Sequence, residues 1–169
     1  MAKYLSHNAG VLQEVQPVNT SAGAADAAKI PELDASGRLD ATMMPVGVGP
    51  DTAAINASEN LAAGAMVNVF DNGGSVGVRN ADSTTAGKET NGFVLAAVTA
   101  SNPAQVFFEG IVTGLSGLTP GALYYTSTTA GGVTTTVPSA SGNVVQSVGR
   151  ALSATELSFE PSALPVELV

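Results

Sequence analysis

The sequence predicts an all-β protein: a small β-barrel or sandwich built from a duplicated β-unit and preceded by an extended N-terminal arm. Two observations point to the duplicated β-domain, and a third sets the arm apart. Leu61-Ala62-Ala63-Gly64-Ala65-Met66, a turn at Asp71-Asn72-Gly73-Gly74 and Val76 recur as Leu118-Thr119-Pro120-Gly121-Ala122-Leu123, a turn at Ala130-Gly131-Gly132 and Val133. The interval is 57 residues from Gly64 to Gly121 and again from Val76 to Val133. Each copy is followed by a second shared phrase, Ala97-Val98-Thr99-Ala100 closing on Phe108-Glu109, and Ala151-Leu152-Ser153-Ala154 closing on Phe159-Glu160. Repetition at a fixed interval limits the fold before any other consideration. The second observation is that short apolar runs alternate with turn residues throughout 53–169. The third is that residues 1–52 sustain neither a helical nor a strand period long enough to form a core of their own.

The strands follow in order. Met66 to Phe70 and Ser75 to Val78 flank Asp71-Asn72-Gly73-Gly74, a hairpin signal. Residues 92–100 and 104–112 pair around Ser101-Asn102-Pro103, and 123–126 pair with 133–137 around Gly131-Gly132. The last pair is 144–152 with 156–159 around Ser153-Ala154-Thr155. Eight short strands with frequent turns suit a sandwich or small barrel. Gly77, Gly110 and Gly149, inside strand-like runs, mark bulges or sharp corners.

In the arm, 22–29 is expected as a short helix, with Asp26 and Lys29 on its polar side. Asp34-Ala35-Ser36-Gly37 is expected as a tight turn. Asp40 is placed to cap one helical turn ending before Pro45, and 46–50 is a linker. The domain boundary is set after residue 52.

Composition narrows the function. Hydrophobic residues are 44% but aromatics 5% with no Trp, so the core must rest on Val, Leu, Ile and Ala with a few Phe. Charged residues are 12%, about half the usual share, which suggests that much surface lies against other protein. The net charge of -8 with scattered Lys and Arg argues against a nucleic-acid partner and against an anionic membrane. Without Cys there is no disulfide, thiolate chemistry or cysteine metal site. The first residues lack the apolar run of a signal peptide, so synthesis and assembly in the cytoplasm are expected.

No constellation supports catalysis or a cofactor. His7 is the single histidine and lies in the arm, so a Ser-His-Asp arrangement has no base on the β-domain. Glu109 and Glu160 occupy equivalent places, but a duplicated strand-end charge explains them better than a glycosidase pair without aromatic platforms. Asp71-Asn72-Gly73-Gly74-Ser75 lacks the spaced carboxylates of a calcium loop. Gly47-Val48-Gly49 runs into Pro50 rather than a helix, unlike a phosphate loop. The Thr/Ser runs 126–129 and 134–136 suit an exposed or inter-chain hairpin.

Two phrases resemble a known family. Leu118-Thr119-Pro120-Gly121-Ala122-Leu123-Tyr124-Tyr125, with Gly131-Gly132-Val133-Thr134-Thr135 and Val148-Gly149-Arg150-Ala151-Leu152, is similar to the β-domains of tailed-bacteriophage capsid decoration (cement) proteins and head fibres. The segment from Lys29-Ile30-Pro31 through Asp34-Ala35-Ser36-Gly37-Arg38-Leu39 to Met43-Met44-Pro45 resembles one common in phage structural proteins, fibres included. The resemblance implies a virion protein, made in the host cytoplasm, that trimerises on the capsid exterior and stabilises the shell. The expected partners are the major capsid protein and other copies of the chain, with no nucleic acid or membrane. The alternative is a head- or tail-fibre module for attachment to the host surface. Capsid contact is expected from the arm's scattered apolar side chains: Tyr4, Leu5, Val11, Leu12, Ile30, Leu33, Leu39, Met43 and Met44.

Overall fold

A computed structural model describes residues 3–35, 37–44 and 51–169. The chain divides into two compact units, Met1–Gly49 and Pro50–Val169.

The first unit opens with a hairpin of β1 (Tyr4–Asn8) and β2 (Val11–Val15), Tyr4 opposite Val15 and Leu5 opposite Glu14. Its two-residue loop puts Ala9 at φ 50° and Gly10 at φ 86°, the left-handed pair that a tight antiparallel hairpin needs. This departs from the extended arm expected from the sequence. The alternation is only five residues per strand and places Leu5 and Leu12 in solvent, so no apolar stripe announces it. The expected short helix is one 3-10 turn, Gly23–Asp26. Asp34 closes the expected turn: its carbonyl accepts the Gly37 amide at 2.9 Å and its carboxylate the Arg38 amide at 2.9 Å. Asp40 caps a second 3-10 turn, Ala41–Met43, by accepting the Thr42 amide at 2.9 Å. Ser36, Pro45 and the proposed linker lie outside the described residues. No described side chain in this unit is buried, so it has no core of its own.

The second unit is all-β. Copy one consists of β3 (Thr52–Ala57), β4 (Met66–Asp71), β5 (Val76–Asn80), β6 (Gly92–Val94) and β7 (Pro103–Phe107), closed into a barrel in the order β3-β5-β4-β6-β7. Strand β3 begins at Thr52, on the arm side of the boundary set from the sequence, and is additional to the eight strands expected there. Copy two consists of β8 (Gly110–Val112), β9 (Leu123–Thr126), β10 (Val133–Thr134), β12 (Ser147–Ala151) and β13 (Leu157–Phe159), with β11 (Val144–Val145) and β14 (Val166–Glu167) forming a separate ribbon. Its sheet order is β10-β9-β12-β13-β8. Replacing each strand by its counterpart turns this into β5-β4-β6-β7-β3, the copy-one ring without its closing rung.

Register makes the equivalence specific. Met66 lies opposite Phe93 and Val67 opposite Gly92; 57 residues later Leu123 lies opposite Arg150 and Tyr124 opposite Gly149. The Gly64 amide donates to Val94 O at 2.9 Å and the Gly121 amide to Ala151 O at 2.8 Å, the same bond 57 residues on. Phe107 lies opposite Phe93 and Ser158 opposite Arg150, an offset of 51, so Phe108 and Phe159 are equivalent as expected. Val76 and Val133 are not. Val76 lies opposite Asp71, but Val133 lies opposite Thr126, the counterpart of Val69. Val133 therefore matches Val78, because two fewer residues separate the equivalent rungs in copy two.

Two hydrophobic clusters form. One fills the copy-one barrel with Ala57, Leu61, Ala65, Val67, Val78, Val94, Ala104 and Val106. The other joins the inner face of copy two (Val112, Leu118, Tyr124, Val148, Ala151, Leu157, Phe159) to Met66, Ala81 and Phe93 of copy one. Because side chains alternate along a strand, Met66 and Phe93 point out of the barrel while their neighbours Val67 and Val94 point in. Phe93 stacks on Phe107 at 5.4 Å and meets Phe159 edge-on at 5.1 Å between ring centroids.

The ring of copy two stays open for two reasons. Strand β8 is half the length of β3 and ends at Val112. The β9–β10 turn is also bonded elsewhere: Gly131 O accepts the Met66 amide at 2.9 Å and the Gly131 amide donates to Ala81 O at 2.8 Å. A buried polar network reinforces this junction. The Thr90 and Thr126 hydroxyls lie 2.8 Å apart, and Gln146 accepts the Thr90 amide at 2.7 Å and donates to its carbonyl at 3.0 Å. Thr126 and Ser127 are thus buried, not part of the exposed run expected from the sequence.

Three predictions follow from this packing. A Cβ on Gly149 would lie 1.8 Å from Ser158 O, and one on Gly92 2.7 Å from Phe107 O, the equivalent carbonyl. Gly149, at φ 143°, also sits at a register shift in β12, the bulge expected there. Gly149→Ala is expected to destabilise by at least about 3 kcal/mol in denaturant titration, since a backbone carbonyl must move and the conformation is strained. Phe159→Ala is expected to cost about 3–5 kcal/mol. Phe108→Ala will cost clearly less, because Phe108 is only half-buried at the edge of the barrel cluster. The third concerns pH. Burial raises the Asp82 pKa, but the Thr84 hydroxyl and amide and the Lys88 ammonium at 3.1 Å outweigh it and leave it below the ordinary value. A lowered folded-state pKa stabilises above the unfolded value of about 3.9 and is lost as pH falls through the folded value. Asp82→Asn should therefore lower the melting temperature at pH 7, with the deficit closing as pH drops below that value.

Candidate functional site

The arm carries the candidates named from the sequence. Leu5, Val11, Leu12, Ile30, Leu33, Leu39 and Met44 are exposed, Leu5 at 72% and Leu12 at 68%; Tyr4 and Met43 are half-buried. Their placement follows from the hairpin register. Leu5 lies opposite Glu14 and Leu12 opposite His7, so these four share one face, while Tyr4 and Val15 share the other. Leu5 and Leu12 are diagonal neighbours on that face. Ile30 and Leu33 flank a parallel bridge from Val18 to Pro31, where the Val18 amide donates to Ile30 O at 3.0 Å and the Glu32 amide to Val18 O at 2.8 Å.

Polar groups shape the unit around these side chains. Lys3 pairs with Glu14 at 2.7 Å and Lys29 with Asp26 at 2.6 Å. The Lys29 bond, with the Ala22 amide, holds the Asp26 carboxyl below its ordinary pKa, and the Thr42 hydroxyl and amide do the same for Asp40. Both residues are half-buried, and these bonds join neighbours within single turns. Such a unit presents aliphatic side chains on a scaffold held by turns and one short ribbon, and a two-stranded ribbon is marginal alone. It is chemically suited to lying against another protein.

The groups weighed for chemistry are placed apart. His7 is exposed on β1. Glu109 accepts the Asp51 amide at 3.4 Å, and Glu160 lies 3.4 Å from the Ser158 hydroxyl; both are exposed and each serves its own strand end. Asp71 caps its hairpin by accepting the Gly74 amide at 2.7 Å. Among the described residues no three His, Asp or Glu side chains gather in a metal-binding arrangement. Sequence inspection missed the outer face of the copy-two sheet. Ile111, Ser158, Arg150 and Leu123 lie there side by side on adjacent strands. The signal was available in the 57-residue repeat, which sets Arg150 where copy one has Phe93.

No family profile and no curated protein sequence matches the chain. Among solved structures, the N base of head fibre gp8.5 of bacteriophage phi29 is similar over 66% of this chain and 95% of its own, at 14% identity and a TM-score of 0.45. A likeness of that extent assigns no role.

Proposed function

We propose that this chain is a non-enzymatic structural protein of a tailed-phage virion, which decorates and stabilises the exterior of the capsid. The first unit docks on the major capsid protein and the β-domain associates with other copies, three per assembly as the family resemblance implies. The observation that carries this is the contrast between the two units. Both hydrophobic clusters lie within residues 57–159, whereas the first unit buries none of its described side chains and exposes seven of the nine apolar candidates. Aliphatic side chains on a coreless unit gain burial only against a partner. Repeated on a symmetric shell, modest single contacts gain strength by avidity. The resemblance of the 118–152 phrases to capsid decoration proteins and head fibres, and of the 29–45 phrase to phage structural proteins, supports the major capsid protein as that partner.

The 29–45 phrase also occurs in fibres, so attachment to the host surface is the competing role. Electron microscopy of the virion separates them: occupancy matching the capsid lattice supports decoration, and a few copies at one vertex supports a fibre. Removal of residues 1–49 should abolish capsid binding while leaving the unfolding transition of the β-domain nearly unchanged. A truncated chain that still decorates particles at full occupancy would sink the proposal.

A further inference from the structure

The duplication supplies an internal control for one surface. In copy one, Thr52, Phe107, Phe93 and Met66 lie side by side across β3, β7, β6 and β4, on the outer face of the barrel. That face is an interface within the chain: Met66 and Phe93 are fully covered by the open sheet of copy two. The equivalent row in copy two is Ile111, Ser158, Arg150 and Leu123 across β8, β13, β12 and β9. No part of Pro50–Val169 covers it as copy two covers copy one. Ile111 is 49% exposed, Arg150 is exposed, and Leu123 and its same-face neighbour Tyr125 are half-buried. Leu152, two residues beyond Arg150, is 54% exposed.

We infer that this row is the surface through which the β-domain binds a second copy of the chain, with Arg150 receiving a carboxylate of that copy. The inference rests on the self-association proposed above and names its site. Two observations select the occupant. Within the chain, the thing seated on this face in copy one is itself a β-unit of the same repeat. Charge points the same way. Arg79 is spent on Asn68, Gly87 O and the Phe70 ring at 4.2 Å, and Lys88 on Asp82. Arg150 donates only to Gly121 O, at 3.2 Å, and has no carboxylate within ion-pair distance among the described residues. Glu160, on the same strand face as Ser158, stays with the Ser158 hydroxyl. Copies carrying -8 each repel, so a stable contact needs an apolar patch with a cation that meets the partner's acidic surface. A ring of such contacts is head-to-tail, which keeps Arg150 away from its own symmetry mate.

The test uses the full chain at micromolar concentration, with mass from light scattering and the fold checked by thermal unfolding. Arg150→Glu and Ile111→Asp should each keep a single cooperative unfolding transition, lowered no further than loss of association requires, and weaken self-association at least about 30-fold, the scale of a central interface residue. Arg150→Lys should retain association. If Arg150→Glu fails to fold, Ile111→Asp alone decides, since Ile111 belongs to neither cluster. Assemblies that survive both variants would overturn this surface and leave the capsid proposal standing. A wild-type chain that is a monodisperse monomer would overturn the surface and the self-association together. Capsid binding by the variants, measured separately, reports on the first unit alone.

Discussion

The whole β-domain depends on one contact: the outer wall of the copy-one barrel, at Met66 and Phe93, fills the open side of copy two. Copy two has the strand order of a barrel but lacks the rung that would close it. Its inner face, with Tyr124, Ala151, Leu157 and Phe159, would otherwise meet water. The wall of copy one stands where the missing side would be. Copy one therefore needs strands that are apolar on both faces, Met66 beside Val67 and Phe93 beside Val94, as in sheets covered on both sides. Copy two needs apolar residues on one face only, and its counterparts on the other face are Leu123 and Arg150.

Equal positions have thus diverged according to what covers them. Arg150 stands where copy one has Phe93, and Ser158 where it has Phe107, at identical places in the ladder. Hydrogen bonding also holds the second ring open. Gly131 spends both its backbone groups on Met66 and Ala81, so the turn that could have closed the second ring is tied to the first. The Thr90–Thr126–Gln146 network lies across that junction and is satisfied throughout, which makes the relative placement of the copies specific as well as stable.

The first unit follows different physics. Its hydrogen bonds close turns, one ribbon and a single parallel bridge, and most of its aliphatic side chains are exposed. The buried clusters belong to the β-domain, and the first unit buries none of its described side chains.

The sequence by itself determined the class of the protein. The 57-residue repeat, the turn residues at Asn72-Gly73 and Gly131-Gly132, and short β-runs were enough to establish duplicated β-units, because turn chemistry and alternation are local properties. The equivalence of Phe108 with Phe159 was legible for the same reason. The apolar candidates of the arm could be named, though the hairpin carrying Leu5 and Leu12 could not, since five-residue strands with outward leucines leave no pattern. What only the tertiary structure decided is non-local. It shifted Val133 onto Val78, closed one ring through β3 and left the other open, and turned the same face into a buried wall in copy one and an exposed row in copy two. Those outcomes depend on which backbone groups and which side chains meet across the junction, and no single segment of sequence contains that information.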